Sequence, residues 1–398
     1  MNKTLYYIGN FNFKDESAAT KLVYNNSVLL RSIGYHVVLV GNYNPKQKTS
    51  KFKYSIYKEF ESIKIPFQKN FNQLFLDIKL SSELANLINQ NSTNSSSYVI
   101  FYGSPSFSSF LYLIKSKLTN CVIFGNHVDM SSVNHGNIIL WPIKIIDRFL
   151  IVNFYLKYTR GMICVSSYID KFYKRNKFTN TIILPPLSES IDTNIDINLK
   201  QEKNIKFFYA GTPFPTDGRF VSKSAYKDRL DSIIEFVHNL YDTYKMKVEL
   251  NIFGITKNQY LKVVKHHEKI LKMNYGIINF FGLKKREDVE DVLRKSHFSV
   301  LIRNSNKMTN SGFSTKLVES ISNGIPVISN LTSDINKYLI EDKNALFISH
   351  DPAKSAEIFV AKIFNLNYSK MKKYCKQNNP FSPSLHKQKI KSFLYNEF

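Results

Sequence analysis

Residues 297–330, HFSVLIRNSNKMTNSGFSTKLVESISNGIPVISN, constrain the fold more than any other stretch of the chain. The apolar, β-prone run 298–302 predicts a buried strand. Residues 303–313 are polar and predict a loop, and the apolar spacing in 315–323 predicts a helix. A second buried strand begins at 326–328. Two parallel strands joined by a helix form a βαβ unit, whose ligand lies at the carboxyl end of the first strand, facing the start of the helix.

The start of this helix has the chemistry of an anion site. Its first N–H groups have no backbone partner, and the helix dipole adds positive character, so the terminus suits a phosphate. Ser314 can cap the helix and Gly324 can end it. Lys316 is a cation in the first turn, where the dipole disfavours it, which indicates a nearby anion. Glu319 can accept two hydrogen bonds from a sugar diol; alternatively, Lys316 and Glu319 form an ordinary i,i+3 surface pair.

The segment GFSTKLVESISNGIPVIS resembles the donor-site signature of the retaining family 4 glycosyltransferases, which have the GT-B fold. The residues in register with that signature are Gly312, Phe313, Glu319, Gly324, Pro326, Val327 and Ile328. The resemblance implies that Glu319 holds the ribose hydroxyls of a nucleotide. The first of the family's two signature glutamates falls on Ser311, a departure that this sequence shares with what looks like a bacterial surface-polysaccharide subgroup. Recognition of the donor sugar hydroxyls therefore departs from the usual pattern.

Length and composition favour two ordinary globular domains. The chain has 398 residues, of which 43% are hydrophobic and 14% aromatic, enough to build cores and too apolar for a disordered chain. Its three cysteines, Cys121, Cys164 and Cys375, are widely spaced without a metal or redox motif. Together with an N-terminus that enters a strand directly, they predict a reducing, cytoplasmic location.

The net charge of +24 needs an explanation. Nucleic acid is disfavoured as a partner, because the sequence has no zinc-finger spacing, RNP-like sequence or basic helix repeat. The lysines are spread over most of the chain, which fits codon bias in an AT-rich genome. Residues 138–160 are aromatic, Ile/Leu-rich and basic, which predicts peripheral contact with an anionic membrane at its inner face; a buried helix pair is the alternative. Charges interrupt this stretch too often for a spanning helix.

The N-terminal half begins as a βαβ unit. Residues 3–9 predict a strand, 17–33 a helix and 35–40 a second strand, which Gly41 stops. The first turn, Gly9-Asn10-Phe11-Asn12-Phe13, is not a Gly-x-Gly-x-x-Gly turn, which disfavours a dinucleotide-binding oxidoreductase.

The family resemblance implies a role for two features of this half. The lysine-rich residues 44–72 occupy the acceptor side of GT-B enzymes, although a solvated loop is the favoured interpretation. His127 ends a strand predicted over 121–129, at the functional edge of such a sheet. The resemblance places a histidine here near the donor sugar and the acceptor, while a structural role is the alternative.

The C-terminal half follows the polar boundary 188–203. A strand over 205–210 leads to Gly211, and a helix predicted over 227–241 begins at Lys227. By resemblance, Lys227 is the main cation that clamps the donor diphosphate, Arg219 is the second choice, and the residues after Gly282 border the nucleotide base. The donor-binding residues implied by the resemblance are Gly211, Thr212, Arg219, Gly282, Lys284, Arg303, Ser311, Gly312, Phe313, Ser314 and Glu319.

These observations lead to one architecture. We expect an α/β protein of the GT-B fold, with two Rossmann-like domains facing across a cleft. Residues 1–190 form the acceptor-side domain, 200–378 the nucleotide-sugar domain, and 379–398 a helix that crosses back to the first domain.

The expected activity is transfer of a sugar, of hexosyltransferase type, from a nucleotide-sugar donor to a glycan or lipid-linked acceptor with retention of configuration. His127, Lys227 and Lys316 are the expected catalytic residues, with Arg219 or Arg303 in support. No Asp-x-Asp metal motif is present, so we expect metal-independent turnover without a cofactor.

Two other classes stay open. A nucleotide-sugar epimerase of the same fold would interconvert the donor sugar without an acceptor. A non-catalytic subunit of a glycan-assembly complex would bind the nucleotide sugar without turnover, and Ser311 in place of the first glutamate favours this alternative. The sequence leaves the base, the sugar, the acceptor and the linkage open.

Overall fold

The computed structural model describes residues 3–13, 17–44, 51–66, 72–92, 97–103, 121–130, 141–191, 204–216 and 222–395. Packing divides the chain into two compact units. The first comprises Met1–Leu187, Ser311–Phe313 and Pro383–Phe398, and the second comprises Ser188–Asn310 and Ser314–Ser382. Each unit has its own sheet and its own hydrophobic core.

The first unit is built on an eight-stranded sheet within the described residues. Its strands are β1 (Lys3–Asn12), β2 (Tyr35–Tyr43), β3 (Lys53–Tyr57), β4 (Phe60–Pro66), β5 (Ser97–Tyr102), β6 (Cys121–His127), β7 (Gly161–Cys164) and β8 (Thr181–Ile183). The strand order is β3-β4-β2-β1-β5-β6-β7-β8. All neighbouring pairs are parallel except β3 and β4, which form an antiparallel hairpin.

Helices accompany this sheet. They are α1 (Ala18–Ser32), α2 (Asn72–Asn91), α3 (Trp141–Leu150), which continues through a π-helical turn (Ile151–Tyr155) and a short α-turn (Leu156–Tyr158), α4 (Ser167–Arg175), and the C-terminal helix Pro383–Tyr395. Ser17 caps α1 by accepting the Thr20 N–H at 3.3 Å. The C-terminal helix buries Ile390, Phe393 and Leu394 in the core of this unit.

The first unit differs from the sequence prediction in three places. β1 continues to Asn12, through most of the residues predicted as the first turn. Gly41 does not stop β2, which continues to Tyr43. The stretch 44–72, interpreted as a solvated loop, contains the β3–β4 hairpin and the start of α2. Phe60 and Ile63 of β4 point into the core, while the lysine-bearing β3 lies at the sheet edge, where charged side chains are common and hide the strand pattern.

The second unit is built on a parallel sheet of six strands within the described residues. They are β9 (Ile205–Ala210), β10 (Val248–Phe253), β11 (Ile278–Gly282), β12 (Phe298–Leu301), β13 (Val327–Ser329) and β14 (Ala345–Phe347). The order β11-β10-β9-β12-β13-β14 is that of a doubly wound Rossmann sheet, whose direction of winding reverses between β9 and β12.

The helices of the second unit follow the strands. They are α5 (Leu230–Asp242), α6 (Lys257–Val263), α7 (Glu268–Met273), α8 (Arg286–Arg294), α9 (Lys307–Ser311), α10 (Thr315–Ser322), α11 (Pro352–Ile363) and α12 (Tyr368–Gln377). The last residue of α9, Ser311, is grouped with the first unit. The core centres on fully buried aromatic rings, among which Phe207, Phe236 and Phe359 contact one another with ring centroids 5.5–5.8 Å apart.

Three predictions about these helices were wrong. The helix predicted from residue 227 begins at Leu230. The predicted loop 303–313 contains α9, and the helix predicted over 351–378 is two helices. Asn367 separates the latter pair because its side chain caps α12 by accepting the Lys370 N–H at 3.0 Å. The prediction of an α/β chain with two domains on parallel sheets is confirmed.

Candidate functional site

The candidate site lies at the carboxyl edge of the second unit's sheet, beside the point where its winding reverses. Gly211 directly follows β9, and Arg303 follows β12. Ligands of doubly wound sheets bind in this crevice, because the loops on either side of it diverge. Lys316, in the first turn of α10, extends to the same place.

Asp228 is the centre of a buried ionic cluster. Its carboxylate is fully buried and contacts the ammonium of Lys316 through Oδ2. Arg303 donates from Nε to Oδ1 at 3.1 Å, and the Tyr209 hydroxyl donates to Oδ2 at 3.0 Å. Lys316 also lies 4.6 Å from the centroid of the Tyr209 ring. One carboxylate thus fixes two cations and a phenol in a single arrangement.

The electrostatics of the cluster favour its charged form. Burial raises the pKa of Asp228, but the charges of Lys316 and Arg303 outweigh burial and hold that pKa at about 2. Burial lowers the pKa of the Lys316 ammonium, and Asp228 opposes that decrease. Burial and the neighbouring Asp228 raise the pKa of Tyr209, which keeps its hydroxyl protonated as a donor.

Gly211 gives Lys316 the room it needs. Its φ of +147° is a conformation that side chains rarely adopt. A Cβ atom on Gly211 would lie 2.3 Å from both Cε and Nζ of Lys316. Glycine is therefore required here by the lysine that passes over it.

Arg303 is held from both sides. Its side chain is only 5% exposed, and its Nε also lies 3.4 Å from the Lys227 carbonyl oxygen. Asn330, which follows β13, accepts the Arg303 N–H at 2.8 Å and donates to its carbonyl at 2.9 Å. The guanidinium is consequently engaged by Asp228 and serves to position the cluster.

Excess positive charge remains at this edge. Within the cluster two cations, Lys316 and Arg303, face one carboxylate, which leaves one uncompensated positive charge. Lys227 precedes Asp228 with an exposed side chain and adds a second cation. It does not start a helix as predicted, because Lys227 N–H donates to the Pro213 carbonyl at 2.9 Å in an irregular segment ahead of α5.

The amino end of α10 differs from prediction in its cap. Ser314 occupies the N-cap position, but its side chain makes no capping hydrogen bond to the helix. Gly324 follows the end of the helix with φ of +74°, as its predicted role requires. Glu319 is partly exposed on the next turn of α10.

The other residues predicted to bind the donor lie near the ends of two more strands. The Thr212 hydroxyl lies 3.4 Å from the Gly254 carbonyl oxygen, and the Gly254 N–H donates to the Gly282 carbonyl at 2.8 Å. Gly282 ends β11 with φ of +65°, and Lys284 after it is exposed. Arg219 lies outside the described residues.

Ser311, Gly312 and Phe313 belong to the first unit. Ser311 is fully buried; its hydroxyl accepts the Met130 N–H at 3.1 Å, and its carbonyl accepts from Ser166 Oγ at 2.6 Å. Phe313 packs against the core of that unit, while Gly312 is half-buried beside it. The residue in the place of the first signature glutamate is therefore part of a buried hydrogen-bond network.

His127 ends β6 in the first unit and is largely buried. Its Nδ1 lies 2.6 Å from the Tyr173 hydroxyl, and the two rings meet edge to face. Tyr173, on α4, orients the imidazole and was missed by sequence reasoning.

Asp228 and Tyr209 were also missed. One signal pointed to Asp228: a cation in the first turn of α10 needs a nearby anion, and the structure supplies a carboxylate of the protein itself. Tyr209 gave no signal, because an aromatic residue within an apolar strand is typical of a core.

Among the residues that the structure describes, no helix is both long and apolar enough to cross a membrane.

The part of the chain that holds the candidate site also matches a known protein family. Residues 196–380 match the family model described as "Glycosyl transferases group 1", a segment that contains the whole Asp228 cluster. No curated protein sequence matches the chain.

Solved structures with the same fold cover nearly the whole chain. Sucrose-phosphate synthase from Thermosynechococcus elongatus is 11% identical, with a TM-score of 0.65 and 98% of each chain covered. Anabaena HepE, in complex with UDP and glucose, is 10% identical, with a TM-score of 0.64 and 98% and 99% covered. An E. coli structure described as "trehalose-6-phosphate" bound with UDP-2-fluoro glucose is 8% identical, with a TM-score of 0.67 and 100% of each chain covered. The chain thus has the GT-B fold, and its match over residues 196–380 to the group 1 glycosyl transferases indicates a glycosyltransferase.

Proposed function

We propose that the protein is a retaining glycosyltransferase that moves a sugar from a nucleoside-diphosphate donor to a glycan or lipid-linked acceptor. The single observation that carries this proposal is the Lys316–Asp228–Arg303 cluster at the switch point of the second unit's sheet. It combines fixed cations and an excess of positive charge with a helix start, in the segment that matches the family.

The chemical task is to stabilise the departing diphosphate, which gains negative charge in the transition state. Lys316 extends its ammonium to the sheet edge and keeps 22% of its side chain exposed, and in this proposal a phosphate oxygen binds there. Asp228 holds Lys316 in place, and its negative charge opposes the decrease that burial causes in the Lys316 pKa. Because a preorganised cation needs no rearrangement during the reaction, its attraction for the leaving group acts fully at the transition state.

Lys227 and the N–H groups at the start of α10 complete the phosphate site in this proposal. Lys227 is exposed and free to move onto the second phosphate. Glu319, one turn further along α10, accepts the ribose hydroxyls. These groups supply the positive charge that a divalent cation supplies in other glycosyltransferases, so we propose that turnover needs no metal.

A uridine nucleotide is the first donor class to test. HepE is described in complex with UDP and glucose, and the E. coli neighbour with UDP-2-fluoro glucose. In the proposal the base lies beside Gly282 and Lys284, at the carboxyl end of β11.

His127 is proposed to act on the acceptor side. It ends β6 at the carboxyl edge of the first unit's sheet, and the Tyr173 hydroxyl fixes its ring. A fixed imidazole can donate a hydrogen bond to a sugar hydroxyl without the entropy cost of being ordered on binding.

Contact with a membrane is proposed for the helical segment Trp141–Tyr158. It exposes Ile146 by 58%, Phe149 by 62% and Tyr158 by 55%, while Lys157 and Arg160 are exposed nearby. Apolar side chains beside cations favour the interface of an anionic bilayer. The acceptor is then a lipid-linked glycan at the inner, cytoplasmic face.

The test uses the purified full-length chain with a panel of nucleotide sugars. A donor that raises the melting temperature is incubated with glycan and lipid-linked acceptors, and NMR reads the anomeric configuration of the product. We expect UDP-sugar binding and a product with the donor's configuration. Inversion would refute retention, and absence of any binding would refute the donor site.

A second candidate, a nucleotide-sugar-binding subunit without activity, is favoured by buried Ser311 in the place of a signature glutamate. Binding of a UDP-sugar without turnover on any acceptor would support that candidate. Interconversion of the donor sugar without an acceptor would instead identify an epimerase.

A further inference from the structure

A second cluster of potential ligands lies in the second unit outside the phosphate site. Glu235 is on α5, and His266 and His267 are in the 3-10 turn Lys265–His267 that follows α6. One ligand atom from each residue lies within 4.8 Å of the others. Among the described residues, this is where histidine and carboxylate side chains converge in a number sufficient for a metal ion.

Of the three residues, His267 has the most restricted side chain. It is fully buried, with Nδ1 2.8 Å from the Tyr260 hydroxyl and Nε2 2.8 Å from Glu235 Oε1. A carboxylate oxygen and an imidazole nitrogen both offer lone pairs at this separation. A hydrogen atom on Nε2 or on the carboxyl group must therefore lie between them, or a metal ion takes its place.

Tyr260 can orient the His267 ring for binding a metal ion. Its side chain is fully buried, and its hydroxyl is within hydrogen-bond distance of Nδ1. If it accepts the Nδ1–H, the lone pair of Nε2 faces Glu235. A histidine ligand whose other nitrogen donates to a fixed partner is the usual arrangement around protein-bound zinc.

His266 supplies the third ligand and the route of entry. Its ring centroid lies 4.5 Å from that of His267, and its side chain is exposed. Lys223 is a positive charge near the imidazole of His266. The Lys223 ammonium lies 4.0 Å from Asp231 Oδ2, which offsets its charge.

The spacing fits a tetrahedral ion. Zinc–nitrogen and zinc–oxygen bonds of about 2.0–2.2 Å put neighbouring ligand atoms about 3.3 Å apart. His267 Nε2 lies 2.8 Å from Glu235 Oε1, and all three ligand atoms lie within 4.8 Å of one another. The expected separation falls between these two distances. We propose that Glu235, His266 and His267 form a zinc site, with solvent as the fourth ligand.

Such an ion would clamp α5 to the turn after α6. The start of α5 directly follows Asp228 and Arg229. By fixing α5, the zinc ion would therefore also stabilise the position of Asp228 in the phosphate site. No step of sugar transfer passes through this ion, and its binding is therefore measurable without an active enzyme.

The experiment titrates zinc into full-length protein stripped with a chelator and then desalted, against a chromophoric zinc indicator. We expect one zinc bound per chain. His266→Ala and Glu235→Gln should weaken binding by at least the roughly 10- to 100-fold that losing a supporting partner costs. Glu235→Gln keeps a hydrogen-bonding group next to His267, so the fold is preserved.

The matched control is His36→Ala, which removes a histidine 3.6 Å from Glu61 in the first unit and should leave zinc binding unchanged. Cobalt replacing zinc should give the visible absorption of a tetrahedral site in the wild type and lose it in His266→Ala. Two results would overturn the proposal. One is failure of the wild type to retain zinc at one equivalent, and the other is equal zinc affinity in the wild type and His266→Ala.

Discussion

The ammonium of Lys316 contacts the carboxylate of Asp228, although the two residues are 88 positions apart in the chain and the carboxylate is fully buried. Removing one partner of such a pair leaves a buried charge without compensation. Asp228 is therefore both a stabilising residue and the one that determines where Lys316 points.

The first prediction concerns stability. Asp228→Asn leaves Lys316 and Arg303 without their carboxylate and should lower the free energy of unfolding by about 3–5 kcal/mol, the cost of breaking a buried pair. Urea denaturation at neutral pH measures the change. Asp242→Asn is the control, because Asp242 forms a 3.9 Å surface pair with Lys245 and should be near neutral. Equal stability of the two variants would contradict the account.

The pH dependence of stability follows from the same pair. The Asp228 pKa is about 2 in the folded chain against 3.8 ordinarily, so its contribution is fully present above about pH 4. This contribution to the free energy of unfolding amounts to about 2 kcal/mol. It is lost as the pH falls from about 4 to about 2. The wild type should lose that much more stability than Asp228→Asn between pH 4 and pH 2. Parallel curves for the two proteins would refute the assignment.

Gly211 provides a test of how Lys316 is placed. Gly211→Ala puts a methyl group where Lys316 now lies and should displace its ammonium, lowering turnover by about 10-fold or more. Gly276→Ala is the control, because Gly276 has φ of +78° but an added methyl group there would meet no other atom within 4 Å. Both variants carry backbone strain, on the order of 1–3 kcal/mol. A loss of turnover that is the same in both would show that strain, and not the position of Lys316, is responsible.

Glu319 tests the ribose contact. Glu319→Ala removes a charged hydrogen-bond acceptor worth about 1.5–3 kcal/mol, so the affinity for a nucleoside diphosphate should fall about 10- to 100-fold. Calorimetry with UDP measures it. Glu287→Ala, at an exposed glutamate in the first turn of α8, should leave affinity unchanged. Unchanged affinity in Glu319→Ala would remove Glu319 from the site.

The membrane contact is tested by vesicle flotation. Ile146→Glu with Phe149→Glu puts carboxylates on the exposed apolar side of α3 and should abolish binding to anionic vesicles. Phe364→Glu, at a ring 79% exposed in the second unit, is the control. Equal flotation of the double variant and the control would contradict a contact through α3.

The sequence predicted much of the fold because many of its strands are short apolar runs between polar residues or glycines. Phe298–Leu301 and Val327–Ser329 lie within a residue or two of their predicted bounds, and the helix between them ends one residue early. The β3–β4 hairpin escaped prediction, because the lysines spread along residues 46–69 give this stretch the composition of a solvated loop.

The site was predictable only in part. A lone cation at a helix start drew attention to Lys316, since that position is unfavourable without an anion. Its partner Asp228 comes from a different βαβ unit. No local sequence pattern predicts a contact between residues 88 positions apart. Lys227 was predicted to start a helix, but Arg229 has a non-helical backbone conformation as the N-cap residue, so α5 begins at Leu230.

The central claim is that Lys316 stabilises the leaving diphosphate, and turnover at saturating donor tests it most directly. Lys316→Ala and Lys227→Ala should each lose roughly 10- to 1000-fold in kcat. The loss should exceed the loss in donor affinity, because the leaving group is most negative at the transition state. Lys373→Ala, at an exposed lysine of α12, should retain full activity. Equal kcat in all three variants, each folded by its melting curve, would contradict the account and leave a GT-B fold without this phosphate site.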